Sequence, residues 1–276
     1  MATLVCFHAH PDDEAIGTGG VMARASALGH RVVLVVATRG EQGKPRDGVL
    51  GPDEPLGRRR SAEVRRSAEL LGAHRVEFLD YVDSGMAGEA SNDNPDCFWQ
   101  ADIDEAAARL AAILAPEDVD VLTVYDANGV YGHPDHVQVY RVGVRAAELV
   151  GLPLSQVFGG TINRDRLDEL FGPRDPNAEP GDGPPREQLG VREAEITHAV
   201  PVHDYLAQKR AALAAHESQI GPDNFFLEQP EDRFAAAFGL EWFVCLGRPR
   251  DAGEAMGSDL FAGITTAGIT TPGVAP

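Results

Sequence analysis

Cysteine is scarce in this chain, and its three copies, Cys6, Cys97 and Cys245, are odd in number and nowhere form a C-x-x-C pair. That pattern excludes a disulfide framework and a thiolate zinc site, and it fits a reducing cytoplasm, the compartment expected here. Basic residues are outnumbered: 24 Lys and Arg stand against 43 Asp and Glu, a formal charge of -19. Phosphate contacts need clustered cations, so no nucleic-acid partner is expected. The run Arg58-Arg59-Arg60 lies in a helical pattern and reads as a solvated face. No apolar stretch approaches the ~20 residues of a membrane span. The short stretch Leu4–Phe7 has no basic lead-in, so no signal peptide is expected either. Neither a membrane partner nor an internal repeat is read, while assembly into a homo-oligomer is left open.

What is present is a soluble, core-forming composition, 43% hydrophobic and 24% charged, on a chain long enough for one large α/β domain. Leu4–Phe7 and Arg31–Ala37 read as buried strands, with a helix over Gly19–Leu28 between them that stops at Gly29. The alternation continues through a helix at Arg58–Leu71, a strand at Val76–Leu79, a helix at Asp102–Leu114, a strand at Val119–Tyr125 and a helix at Pro134–Leu149. Such alternation predicts a Rossmann-like, mostly parallel sheet flanked by helices, with ligands beyond the carboxyl ends of the strands. A helix at His203–His216 and a strand at Leu240–Leu246 complete a single domain over 1–250. Residues 161–190 read as a loop insertion, and 251–276 as a C-terminal extension whose order the sequence does not fix.

Two clusters carry the chemistry. His8-Ala9-His10-Pro11-Asp12-Asp13-Glu14 lies where the first strand gives way to a helix, and Tyr125 to His136, ending His133-Pro134-Asp135-His136, repeats that arrangement. Acids packed beside histidines at a strand end repel one another unless a cation, a proton or solvent compensates them. His10 and His136 can each offer an imidazole nitrogen and one of Asp12 and Asp13 an oxygen. Three protein ligands and an open position are the signature of catalytic zinc. The second aspartate is then free to act as general base on a water. His133 is expected to act as an acid, held cationic by Asp135, and Tyr131 to polarise a carbonyl or its oxyanion. Each residue has an ordinary alternative: Asp12 or Asp13 capping one helix, His133 capping the next, Tyr131 a surface aromatic. Capping does not explain both turns together. Glu14 suits either support of the site or the helix dipole, and His8 reads as packing or support.

Ala9–Glu14 as A-H-P-D-D-E, followed by H-P-D-H at His133–His136, resembles the LmbE-like/PIG-L family of zinc-dependent N-deacetylases. The resemblance implies one zinc per chain, with iron(II) as the alternative metal, held by His10, Asp13 and His136. It further implies Asp12 as general base and His133 as charged acid or oxyanion stabiliser. Asp83 to Gly88 and the Tyr125 to Gly132 stretch are similar to the branch that handles mycothiol and its precursors, and Arg60-x-x-Glu63 and Lys209 with His216-x-Ser218-Gln219 resemble patterns of the family, so the likeness runs to about Gln219. By that resemblance Tyr131 is a mobile active-site tyrosine and Glu41, Arg60 and Asp83 line the sugar pocket. The implied reaction is removal of an acyl group, acetyl first, from an N-acetylglucosaminyl small molecule. Alternatives are cleavage of mycothiol S-conjugates and deacetylation of an antibiotic intermediate. The amidase for S-conjugates carries a lysine shortly after its motif, where this chain reads Ala15-Ile16-Gly17-Thr18-Gly19, which favours the deacetylase.

Rival classes remain at this stage. A non-haem iron oxygenase is compatible with His10, Asp12 and His136 as a facial triad, but belongs on an all-β scaffold. A magnesium-binding signalling module would use Asp12 and Asp13, yet magnesium prefers oxygen ligands to these histidines. A sugar-binding protein without activity would not need both motifs intact.

Overall fold

The structure is a computed structural model and describes residues 1–172 and 185–264. All six residues of strand β1 (Thr3–His8) are buried, and so are seven of the eight in β2 (Arg31–Thr38). A strand covered on both faces loses its alternation of polar and apolar residues and can only sit inside a sheet. β1 accordingly lies in the middle of a seven-stranded sheet of order β3-β2-β1-β4-β5-β7-β6, with β3 at Arg75–Tyr81, β4 at Val121–Tyr125 and β5 at Val157–Thr161. These five strands are parallel, while β7 (Leu240–Cys245) runs antiparallel to both β5 and β6 (His198–Pro201). The fold is thus α/β, with a mostly parallel sheet as expected. β5 and β6 are additions to the sequence reading, and the β4 strand begins two residues later than read, at Val121.

The ten helices are α1 (Asp13–Gly17), α2 (Gly19–Ala27), α3 (Leu56–Leu70), α4 (Ile103–Leu114), α5 (Gly129–Gly132), α6 (Pro134–Val150), α7 (Leu167–Phe171), α8 (Leu206–Ala215), α9 (Phe225–Glu228) and α10 (Glu231–Phe238), counted among the described residues. Side chains alternate across the sheet. Leu4, Cys6, Val32 and Leu34 meet α2, α3, α8 and α10 on one face. Val5, Phe7, Val33 and Val35 meet α4 and α6 on the other. Burying each such side chain contributes about 1.5–3 kcal/mol, so the two layers fix the sheet between them. α6 lies especially close, because a Cβ on Gly143 would come within 2.3 Å of Val124 Cγ1 on β4.

The described part of 161–190 is not a plain loop. It forms a 3-10 turn at Arg164–Arg166, α7, and a second turn at Arg186–Gln188. Residues 173–184 of that expected insertion lie outside the described residues, as do 265–276 of the expected tail. The earlier part of the tail packs on the protein: Leu260 is in the core, and Gly257 pairs with His198 at the outer side of β6 through Ala199 N–H to Gly257 O (2.9 Å) and Gly257 N–H to Thr197 O (2.9 Å). Among the described residues no helix is long and apolar enough to cross a membrane.

Glu117, in the turn after α4, ties together the starts of two strands. Its carboxylate accepts from Arg31 Nε (2.5 Å) at the head of β2 and from Arg75 Nη1 (2.8 Å) at the head of β3. The Arg31 bond first, then Arg75, holds Glu117 below its ordinary 4.5. A depressed carboxyl stabilises the fold fully above its unfolded value and ceases to do so as pH falls through its folded one. Glu117→Gln is therefore expected to destabilise by about 1–2 kcal/mol at neutral pH, the arginines being partly solvated. Urea melts of both proteins should converge when repeated under acid conditions below pH 4.5; an equal gap at both pH values would show that the charge is not what matters.

Candidate active site

Strand order reverses at β1, whose neighbours β2 and β4 leave a crevice beyond their carboxyl ends. Both motif-bearing turns open there. At the first, Asp12 takes φ 108 and ψ -29, a backbone that L-residues avoid and that costs about 1–3 kcal/mol. Although Asp12 stands at the N-cap position of α1, its side chain caps nothing. Its carboxylate instead meets Arg60 Nη2 (3.1 Å) and lines the cavity. The second turn is organised by Asp126, whose Oδ1 accepts the N–H groups of Asn128 (2.9 Å) and Val130 (3.0 Å), while Oδ2 accepts Thr161 Oγ1 (2.6 Å). Val130, a β-branched residue at φ 65, carries a similar strain immediately before Tyr131. Gly129 is required beside it, since a Cβ there would lie 2.7 Å from His136 Cβ.

The turns converge. Asp13 Oδ2 lies 3.3 Å from His10 Nδ1 and 3.4 Å from His136 Nε2, and also accepts the backbone N–H of His10 (2.9 Å). Ligand atoms of His10, His133 and His136 approach one another within 4.8 Å, as do those of His10, Asp83 and Asp135. Hydrogen bonding separates these candidates. His10 Nε2 faces Asp135 Oδ2 (3.2 Å) and Asp83 Oδ1 (3.4 Å), two acceptors that keep a proton on that nitrogen and leave Nδ1, on the Asp13 side, as the nitrogen that would meet a metal. His133 Nδ1 accepts the N–H of Asp135 (3.1 Å), so a neutral His133 carries its proton on Nε2 and offers the cavity a donor rather than a lone pair. Two imidazoles around one carboxylate, without cysteine, are a donor set that fits a divalent zinc or iron ion. Tyr131 Oη stands 3.4 Å from His136 Nε2, and the ring of His136 stacks on Tyr125 at 4.2 Å.

Electrostatics follow from this crowding. Burial works against the charged form of His10, but Asp83, Asp13 and Asp135 hold it well above the usual imidazole range. The same burial would raise Asp13, and His136 and His10 hold it well below the carboxylate range. Asp12 is pushed up to about 6, by burial first, with Arg60 pulling it down and Asp13 pushing it up. His133 is pushed down to about 2 by burial and by the neighbouring His10 and His136, so its ring rests neutral. Burial also raises the Tyr131 hydroxyl.

Two expectations are corrected here. Asp135 does not hold His133 cationic: helix residues two apart point in different directions, and the Asp135 carboxylate turns instead to His10 Nε2, the N–H of Ser84 (3.0 Å) and the Ser84 hydroxyl. Glu41 does not line the cavity; its carboxylate accepts the N–H of Asp83 (3.3 Å), while Gln42, Gly43 and Lys44 face inward. Arg60 and Asp83 do line it, both buried. Arg60 is anchored on the carbonyls of Gly40 (2.8 Å) and Pro11 as well as on Asp12. Asp83 accepts the N–H groups of Gln42 (3.0 Å) and Gly85 (2.9 Å), which with His10 hold its carboxyl low against burial. His8 packs, bonding Tyr125 Oη (3.0 Å) and Thr18 Oγ1 (2.8 Å), and burial pushes it down to about 4. Ser84 and Asp126 lie in stretches quoted from the sequence but are given no role there, although Asp126-Ala-Asn128 carries an Asx-turn signal that points to the second.

The cavity over this cluster has a volume of about 740 Å³. Ile16, Phe226, Phe238, Leu240 and Trp242 add apolar surface to its lining.

Residues 5–147 match the family described as PIG-L, GlcNAc-PI de-N-acetylase. The chain is 38% identical to a 1D-myo-inositol 2-acetamido-2-deoxy-alpha-D-glucopyranoside deacetylase of Acidothermus cellulolyticus, over 96% of each chain. Among solved structures it is similar to N,N'-diacetylchitobiose deacetylase from Pyrococcus horikoshii, with TM-score 0.55, 24% identity, and 80% of this chain and 72% of that one covered. It is also similar to a 4-carboxy-2-hydroxymuconate hydratase, with TM-score 0.56, 19% identity, and 85% and 83% covered. Neighbours with such different names show that these structural likenesses speak to the fold alone.

Arg60 lowers Asp12 more than His216 does, so its removal has a definite sign. In metal-free Arg60→Met, the Asp12 carboxyl should titrate above its value of about 6. Carboxyl-carbon NMR reads this directly, and an unchanged or lower midpoint would contradict the assignment of the pair.

Proposed function

The chain belongs to the PIG-L family of de-N-acetylases, enzymes acting on a linear amide, and from that footing we propose that it hydrolyses the 2-acetamido group of an N-acetylglucosaminyl-inositol-type substrate. The observation that carries this reading is the uncapped Asp12 carboxylate at the cavity, next in sequence to the Asp13 that His10 and His136 flank. His10, Asp13 and His136 are the residues that would hold the metal, zinc or iron(II). The bound ion supplies Lewis acidity, making a water more acidic at neutral pH and polarising the amide carbonyl.

The remaining chemistry belongs to side chains. Asp12, with a carboxyl near 6, is ionised at neutral pH and close enough to neutrality to take a proton from the attacking water and pass it to the leaving amine. Neutral His133 presents Nε2–H, a donor suited to the oxygen that gains charge as the carbonyl becomes tetrahedral. Tyr131, kept protonated, adds a second donor beside the rings of His133 and His136. Asp135 and Asp83 fix the His10 ring and its tautomer. Arg60 and Asp83 in the cavity wall suit the hydroxyl groups of a sugar.

Acetate release from N-acetylglucosaminyl-inositol, by protein stripped of metal and reloaded with zinc or iron(II), tests the assignment. Asp12→Ala is expected to keep its metal and lose on the order of 10²–10⁴-fold in kcat. His136→Ala should lose the metal, and Asp135→Asn should weaken metal affinity about 10–100-fold. Near-native turnover in Asp12→Ala would falsify the choice of base, and metal retained at full occupancy in His136→Ala would remove the ligand set.

A further inference from the structure

Behind the site lies a buried ionic group to which the reaction assigns no role. Glu14 has no solvent exposure, and its Oε1 accepts from His216 Nε2 at 2.6 Å and from Ser67 Oγ at 2.5 Å. Its Oε2 accepts the backbone N–H of Asp12 at 3.0 Å. His216 is equally buried and lies at the end of α8, 202 residues away in the chain. The turn that follows it is locked in turn: Ser218 donates from its N–H (2.8 Å) and hydroxyl (2.6 Å) to Glu63.

Arg60, Glu63 and Ser67 lie three, four and seven positions apart on α3, so one helix face reaches all of these partners. Arg60 holds the Pro11 carbonyl and the Asp12 carboxylate, Ser67 holds Glu14, and Glu63 holds the turn after His216. Every polar group around the left-handed Asp12 backbone is thereby engaged: the carbonyl before it by Arg60, its N–H by Glu14, and its own carbonyl by the N–H groups of Ala15 (3.0 Å) and Ile16 (3.1 Å).

We propose that Glu14, held in place by His216 and Ser67, is a positioning residue that clamps the Asp12 backbone in its left-handed conformation and so aims the base at the substrate. The inference rests on Asp12 being that base. A glutamate reaching back to the N–H of an N-cap residue also helps to start a helix. That role alone needs neither a distant histidine nor a fully buried carboxylate, and it would leave catalysis untouched once the protein is folded. Small displacements of a reacting group are felt strongly in rate.

The test compares Glu14→Gln, His216→Ala and His216→Gln as metal-loaded enzymes, together with peptide-resolved hydrogen exchange on their metal-free forms. Glu14→Gln and His216→Ala should each lower kcat by ~10-fold or more, with KM within about threefold and stoichiometric metal retained. Exchange across Pro11–Glu14 should quicken in both. His216→Gln, whose amide nitrogen reaches the position of the lost Nε2, should restore protection and most of the rate, which separates aiming from general destabilisation. In an Asp12→Ala background Glu14→Gln should add no further loss. Metal lost in step with activity in Glu14→Gln, or a full multiplicative loss in the double variant, overturns the clamp. Full turnover in His216→Ala beside an inactive Asp12→Ala sinks this inference alone; turnover surviving in Asp12→Ala sinks the base assignment and the clamp with it.

Discussion

The parallel pairing of β1 with β4 is the constraint on which the site depends. Leu4, Val5 and Cys6 lie in register with Val121, Leu122 and Thr123, so both strands end at the same rim although more than a hundred residues separate them. The apolar layers on either face hold that register, because a slip by one residue would turn every buried side chain to the wrong face. Only with the strands so aligned do Asp13 and His136 come within 3.4 Å. The close approach of α6 to β4 at Gly143 adds depth control, since α6 carries His136 in its first turn.

Charge is the cost of this convergence, and the fold offsets it by pairing each acid with donors. Asp83 and Asp135 face His10, Asp12 faces Arg60, and Glu14 faces His216. A second buried pair, Lys209 with Glu241 (2.5 Å), also lines the cavity, and Glu241 accepts the N–H groups of Gly20 and Val21 in the first turn of α2. Buried ions stay in a protein when their partners and hydrogen bonds are complete. Here each acid has its partner, although Arg60 Nε and His216 Nδ1 are left without one, and two of the non-glycine residues at positive φ, Asp12 and Val130, stand one on each of the converging turns.

What the sequence made legible was local. Both His- and Asp-rich turns announce themselves in consecutive letters, and the β1, β2 and β4 strands have β-branched residues enough to be read. The Val157–Thr161 strand hid behind two glycines, which lower strand propensity, and His198–Pro201 is four residues long with a proline. The roles of Asp135 and Glu41 were misread because they depend on which way a carboxylate turns once the backbone is in place. His216 was legible as a helix end and as part of a family pattern, but its partner was not, because Glu14 comes from the other end of the chain.

The outer flank of β6 bears on how such molecules behave at high concentration. An open sheet ends in unpaired N–H and C=O groups that can recruit a foreign strand. Here the strand is short, Pro201 removes one donor, and the hydrogen-bonding positions beside His198 and Ala199 are already taken by Gly257 of the same chain. The polypeptide thus seals its own border against stacking with a neighbour, and shortening it ahead of Gly257 would uncover a template for aggregation.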